Sequence, residues 1–454
     1  VGWGWKRFMR AIRNLFNQIK NYPTAIVGLI IIAFMVVLSI YAVIKIPYRE
    51  AVRLWKGGEN VWIENPRNAR PAWFNLFYKE KQPVTMVIKT AENPELKTVT
   101  DLGNGIAAQD IVFEFDYQYD GFPTELSLFF TTKFQTARPN VEIKWITPDG
   151  REIPMQSLTL RAQESYRISQ DTRLPRRLNG AQPEKGLFAD PENPDKVLKG
   201  TYRLVIGGLV FEPGSEIEAS FVLYGKLHGF AGTDHVRRDI GVALLWGAPV
   251  ALSVGLVVAV GTSLTTMCLA AFAVWFGGWI DWIIRRINEI VMILPLLPIL
   301  IMIGLFYSRS IIVMMGVTAL LGVFGGGILS YRSMFLQAKT SGYIEAARAY
   351  GASSFRIIFR YLIPKVIPVL IPGFVTQVPS YVFLEATLAV LGLGDKDLPT
   401  WGKLLNDAYT EGALLTGHFY WVLEPAVLLV LTGFGFAMVG FALDRIFNPR
   451  LRGL

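Results

Sequence analysis

Cysteine, histidine and charge are all scarce in this chain of 454 residues. Its one cysteine, Cys268, excludes an intrachain disulfide whichever side its loops face. Three histidines, His228, His235 and His418, lie scattered and give no Cys/His spacing for a metal. Charged residues make up 18% of the chain against 52% hydrophobic ones, so an ordinary soluble domain is excluded and the membrane class comes first. No G-x-x-x-x-G-K-[ST] run is present. The stretch "GVFGGGILS" has glycines but no lysine after them, and Gly325 to Gly327 read as close helix packing rather than a phosphate cradle. Without paired carboxylates in a cleft or a Ser/His/Asp grouping, catalysis is not expected of this chain.

What is present is apolar length and a partitioned charge. The net charge is +9. Residues 47–238 carry 25 Lys+Arg and 25 Asp+Glu, so the remaining 20 and 11 account for all of it. A nucleic-acid surface would not be divided this way, whereas bases kept beside spans follow the positive-inside pattern. Uncharged runs of the roughly 20 residues a spanning helix needs begin with "TAIVGLIIIAFMVVLSIYAVI" at 24–44. They continue at 240–280, 290–308, 310–331, 366–394 (with Glu385 inside) and 425–443. The long second run allows six spans, or seven if it turns back. Six spans put the basic N-terminal segment 1–23, the loop 281–289, the loop 332–365 and the tail on one side, the cytoplasm; seven would split them. The first span, 24–46, lacks a small-residue cleavage pattern after it and reads as a permanent anchor.

Residues 47–226 are of another kind. In "IVFEFDYQYD" Phe113, Phe115 and Tyr117 alternate with polar residues, and Val141, Ile143 and Trp145 alternate before a Pro-Asp-Gly turn. "TYRLVIGGLVF" and "SEIEASFVLYG" keep the period of two, so a mostly antiparallel, half-buried sheet is expected, one β-sandwich domain placed outside by the six-span topology. The stretch 171–199, rich in Pro, Asn, Asp and charge, reads as a long surface loop. The fold class is therefore an α-helical membrane protein of six transmembrane helices with an inserted extracytoplasmic all-β domain, the membrane part resuming at 227–454.

The segment "YIEAARAYGASSFRIIFRYLIP" at 343–364 stands apart. Its alanines favour helix, Gly351 can end one and Ser353 can cap the next, giving two short helices before Pro364 begins the fifth span. Phe355, Ile358, Phe359 and Leu362 would form one apolar face. On this pattern alone the segment could lie on lipid headgroups.

The spacing Glu345-Ala346-Ala347, then Gly351, then Pro364 resembles the cytoplasmic coupling loop of ABC importer permeases. That resemblance implies that Glu345, Ala346, Ala347, Arg348, Gly351, Ala352 and Ser353 plug into a groove on an ATPase subunit. Further motifs are similar to those of C-type permease subunits of the oligopeptide/dipeptide/nickel transport family. They are Gly232-Thr233-Asp234 with Arg238-Asp239, "GGWID" with Arg286 and Pro295, "EATLAVLGLG" from Glu385 through Gly392 to Gly394, "PTWGKLL" with Trp401 and Gly402, and "NPRLR". Arg237, Pro249 and Glu289 depart from the family's usual residues, and the inserted domain is far larger than its usual loop.

The resemblance implies an importer, of peptides first, with oligosaccharides or metal complexes as alternatives and a secondary transporter as a less favoured class. It implies no cofactor in this chain, with ATP and Mg bound by two partner ATPase subunits. The other implied partners are a second permease, forming a heterodimer, an external substrate-binding protein that the β domain could contact, and the bilayer of a prokaryotic cell membrane, with no nucleic acid. By the same analogy Gln377, Ser380 and Tyr381 on the proline-rich fifth span would line the pathway, although helix kinking alone explains the prolines as well. Glu385 is either functional, as intramembrane acids tend to be, or a structural anchor for the loop that carries Trp401.

Overall fold

A computed structural model describes residues 22–447. The basic N-terminal residues up to Lys20, the "NPRLR" motif, Arg450 and Arg452 lie outside them. The chain forms two compact units, one from Gly57 to Gly241 and the other from the residues on either side.

The unit Gly57–Gly241 is built on two antiparallel sheets. The four-stranded sheet has the order β1 (Met86–Lys89), β9, β4, β7 (Gln163–Arg167) and the five-stranded one β2 (Lys97–Gly103), β3, β8, β5 (Asn140–Ile146), β6 (Glu152–Thr159). Its long strands are β3 (Ile106–Tyr117), β4 (Glu125–Lys133), β8 (Gly200–Val210) and β9 (Glu216–Tyr224). The expected alternation is present: Phe113, Phe115 and Tyr117 are buried while Glu114 and Asp116 face outward. Phe113 and Phe115 of one sheet meet Phe221 of the other, with ring centroids 6.1 and 5.5 Å apart, and the core runs between the layers.

The stretch 171–199 differs from the expected surface loop. It contains two one-turn helices and buries Leu174, Leu178, Leu187 and Phe188 in the sandwich core. The Trp145 indole donates to Leu187 O at 3.2 Å, and Phe188 packs 4.8 Å from Tyr202. Four apolar residues at irregular spacing inside a polar stretch carry no period, so the pattern does not disclose that they close one end of the sandwich.

Burial pushes the His228 imidazole of this unit down to about 4. The unfolded chain takes that proton near pH 6.5, so unfolding takes up a proton anywhere between these values and stability falls as pH is lowered through the window, by at most about 1.4 kcal/mol per pH unit. Amide protection factors of the β3 and β8 core in the full chain are expected to drop more between pH 6.5 and 4.5 than in a His228→Gln variant. Equal drops would show that His228 stays charged in the fold.

The helical unit begins with α1 (Pro23–Lys45) and the short amphipathic α2 (Tyr48–Lys56). After the β-rich unit come α3 (Ile240–Phe276), α4 (Gly278–Ile293), α5 (Leu296–Phe306), α6 (Ile311–Val323) and α7 (Gly327–Lys339). The remainder is α8 (Gly342–Ala349), α9 (Ile363–Leu388), α10 (Trp401–Thr410) and α11 (Tyr420–Phe447). Among the described residues four helices, α1, α3, α9 and α11, are long and apolar enough to cross a membrane, or six if each of two bent pairs is one span. The 41-residue second run does not turn back; it forms the single helix α3 up to Phe276.

Two expected spans are broken. Pro295, which has no N–H to give the ladder, separates α4 from α5 at a bend of 78°. The expected loop 281–289 is accordingly part of helix α4. Gly325 and Gly326 separate α6 from α7, bent by 42°. The carbonyls freed there are taken up by side chains: the Asn288 amide donates to Phe324 O and Gly325 O at 2.5 and 2.9 Å, and the Thr266 hydroxyl to Val323 O at 2.9 Å. Elsewhere small residues bring helices together. A Cβ on Gly28 of α1 would lie 2.7 Å from Gly435 O of α11, so these two helices touch backbone to backbone.

Candidate functional site

The segment 343–364 is packed on its inner side. α8 buries Ile344 and Ala347, and the chain after it buries Ile357, Ile358 and Leu362, all in one cluster with Met267, Ala271, Val274 and Trp275 of α3 and Phe335 of α7. Lys339 Nζ donates to Val274 O and Trp275 O at 2.7 and 3.2 Å and so ties α7 to the carbonyl end of α3. Arg348 lies over the Trp275 ring at 4.8 Å.

α8 ends where Gly351 adopts φ +77°, a left-handed position that suits glycine. Ser353 then accepts the Arg356 N–H at 3.4 Å, as an N-cap does. The second short helix is not separate, in contrast to the expectation. Ser354–Ile357 passes through a π turn, Ile358–Leu362, directly into α9, with Pro364 at its start. The extra residue of that turn rotates the faces. Phe355 and Phe359 come out exposed, resting edge-on against Phe272 at 6.0 and 5.9 Å, while Ile357 takes the buried place expected for Phe355.

What remains outward is the set Glu345, Ala346, Arg348, Gly351 and Ser353, with Ala352 half-buried. Tyr350 beside them is 92% exposed. Glu345 makes no ion pair among the described residues. The arrangement is a rigid lever: one carboxylate and small alanines on the outer face, a tight apolar weld to α3, α7 and α9 on the inner one.

A second constellation joins Glu385, Gly392, Gly394, Trp401 and Gly402. Gly392 turns the chain after α9 with φ +80°. Thr400 caps α10 by accepting the Lys403 N–H at 3.1 Å, which sets Trp401 and Gly402 at the helix start. The Trp401 indole donates to Leu244 O of α3 at 2.9 Å and lies flush against Gly247, where a Cβ would sit 2.2 Å from its Cδ1. A Cβ on Gly402 would fall 2.6 Å from that of Ala389, and one on Gly394 would fall 2.8 Å from the same atom. These signature residues form a mechanical interlock among α3, α9 and α10. Glu385 lines a small cavity beside it, of about 30 Å³, with Arg309, Tyr381 and Asp395.

Gln377 reaches a polar recess of about 220 Å³ with Thr262, Ser263, Thr266 and Tyr331. The Tyr381 hydroxyl lies 3.4 Å from that of Thr262. Ser380 is exposed on the same helix and lines neither cavity.

The remaining signature residues lie in the β-rich unit. Gly232, at φ +75°, leads into Thr233, whose hydroxyl donates to Pro66 O at 2.7 Å and accepts the Ala69 N–H at 3.0 Å. Asp234 accepts the Arg238 guanidinium and two backbone N–H groups, and Asp239 accepts the Gly241 N–H at 2.8 Å, capping α3. Arg237, the residue that departs from the family pattern, sits at φ +66° and pairs with Glu125 of β4 at 2.8 Å.

One bracing ion pair escaped the sequence. Arg332 of α7 holds Asp281 of α4 through two bonds of 2.8 Å, bracing the two broken segments against each other. Closer in sequence is Arg285, at i+4 and 3.3 Å from Asp281, and that local pair is all the spacing could suggest.

Comparison with known proteins gives a consistent picture. The family described as "Binding-protein-dependent transport system inner membrane component" matches residues 263–453. The whole of Gly57–Gly241 lies outside that match. The dipeptide transport system permease protein DppC of Bacillus subtilis (strain 168) is 32% identical over 225 residues, 49% of this chain and 68% of that protein. The oligopeptide transport system permease protein OppC of the same organism is 32% identical over 234 residues, 50% of this chain and 73% of that one. The glutathione transport system permease protein GsiD of Pectobacterium atrosepticum is 28% identical over 230 residues, 49% of this chain and 72% of its own.

Proposed function

Because the chain belongs to the binding-protein-dependent inner-membrane transport components, we propose that it is the permease subunit of an ATP-driven peptide importer, forming one half of the pathway. The observation that carries this reading is the outward face of α8, with Glu345 presented on a helix welded to α3, α7 and α9. Two ATPase subunits bind ATP and Mg. As they close on ATP they draw this lever inward, and the spans rock between outward- and inward-facing states around a second permease subunit.

In this reading the chain crosses the cell membrane six times, each bent pair counting as one span, with both termini cytoplasmic. The β-rich domain is then extracytoplasmic and docks the substrate-binding protein. Gln377 and Tyr381 line the pathway, with Ser380 on the same helix.

One copurification tests the assembly. The full chain is expected to bring down an ATPase and a second permease, and to retain a binding protein loaded with peptide. Removal of residues 50–225 is expected to abolish retention of the binding protein alone. Absence of an ATPase would overturn the importer reading, and undiminished retention after the deletion would overturn the docking role.

A further inference from the structure

In the β-rich unit, residues 70–73 run parallel to residues 226–230. The Arg70 N–H donates to Lys226 O at 3.1 Å, the His228 N–H to Arg70 O at 2.8 Å and the Ala72 N–H to Gly229 O at 2.9 Å. The Trp73 indole closes the ladder on Phe230 O at 2.9 Å. Along this ladder the side chains are graded. At its far end Leu76, Phe77 and Phe230 are 79, 76 and 83% exposed, and Trp73 packs against Phe77 at 6.2 Å. At its near end a cavity of about 440 Å³ is lined by Arg67, Arg70, Lys226, Tyr78, Gln82 and Thr124; none of its described lining residues is a carboxylate, and Arg67 is itself paired with Glu59. Tyr78 joins the two ends: its hydroxyl accepts from Arg70 and its ring lies 6.4 Å from Phe74.

We propose that this edge rests on the bilayer, with Trp73, Leu76, Phe77 and Phe230 at the boundary of headgroups and acyl chains and the cavity holding the phosphate of an anionic phospholipid. Large aromatic and aliphatic side chains exposed together mark a surface that water does not cover, and tryptophan and phenylalanine gather where one side is apolar and the other wet. A wall of guanidinium, ammonium and hydroxyl groups suits phosphate. The tether favours lipid as the partner: Phe230 stands ten residues before Ile240, where α3 starts, so it lies within about 36 Å of that helix start. The inference rests on α3 being a span and is independent of the cargo.

The full chain in mild detergent, observed by native mass spectrometry with phosphatidylglycerol, provides the test. The wild-type chain is expected to hold a lipid that excess inorganic phosphate does not displace. Arg70→Gln with Lys226→Gln is expected to weaken that lipid about 25-fold, fivefold for each cation near an anionic surface, and Arg70→Lys to restore most of Arg70's share. Displacement by inorganic phosphate would make this a site for the free ion, and equal lipid retention in the double variant would overturn the site. Independently, a nitroxide at Leu76→Cys in a Cys268→Ser background is expected to meet oxygen more readily than an aqueous nickel chelate when the chain is in phosphatidylglycerol bilayers. Nickel access equal to that of a label at Thr98→Cys, on exposed strand β2 (Lys97–Gly103), would overturn the contact with the bilayer.

Discussion

Trp401→Ala is expected to destabilise the helical unit by about 3–5 kcal/mol, the range for removing a fully buried aromatic side chain. The ring is 2% exposed and lies flush on the helix backbone at Gly247 of α3, while its neighbour Gly402 packs against Ala386 of α9 and Ala389 just after it. Backbone walls cannot relax into the space the ring leaves, so the upper part of the range applies. The loss also removes the indole hydrogen bond to the Leu244 carbonyl, 2.9 Å long, next to the Leu245 carbonyl whose helix donor Pro249 withholds. Trp401→Phe keeps part of the filling and forfeits the hydrogen bond, so a smaller loss is expected. Gly247→Ala strikes the same contact from the other side, since its Cβ would lie 2.2 Å from the ring. Thermal unfolding of the purified chain in detergent, read as loss of the monodisperse peak on gel filtration, should rank the parent above Trp401→Phe and both above Trp401→Ala. A Trp401→Ala melting curve that overlays the parent's would mean that the ring holds nothing together.

This interlock was half legible in the sequence. The residues were visible as a motif, "PTWGKLL" after "EATLAVLGLG", because glycines and a tryptophan at fixed intervals are unusual in an apolar run. Their partner was not, because Gly247 lies 154 residues earlier in a helix whose apolar residues show no preferred face. The sandwich was legible for the opposite reason: alternation is local, and Phe113, Phe115 and Tyr117 declare their common face without reference to any distant strand. Breaks in the spans fall between these cases. Pro295 and the glycines at 325–327 could be seen, yet whether such residues bend a helix or merely pack depends on what satisfies the freed carbonyls. Asn288 and Thr266, which do so, come from other helices. The π turn at Ile358–Leu362 has no signature in residue type; Ile358 and Leu362 keep the buried face expected of them, while Phe355 and Phe359 turn outward.

Glu345→Arg is expected to leave the fold intact and to lower ATP-driven peptide uptake by the reconstituted complex at least tenfold. The side chain is exposed and unpaired among the described residues, while the fold rests on Ile344 and Ala347 one position before and two after it, which point inward. A charge-assisted hydrogen bond to a partner's base contributes about 1.5–3 kcal/mol, and reversal replaces that attraction by repulsion, so a tenfold loss is the lower bound. The expected signature is a split: unchanged expression, detergent stability and permease pairing, with ATP hydrolysis that no longer responds to cargo. Glu345→Gln, which keeps a hydrogen-bonding side chain without the charge, is expected to fall between the two. Because α8 is welded to α3, α7 and α9, a force applied at Glu345 reaches three long elements at once. A flexible loop would dissipate it. Gly351→Pro therefore provides the complementary loss: proline fixes φ near −65° where the chain needs +77°, so the lever is bent while Glu345 remains. Normal coupled uptake in the charge-reversed complex would refute the assignment of Glu345, and failure of Gly351→Pro alone would move the contact to the neighbouring exposed side chains, Tyr350 first.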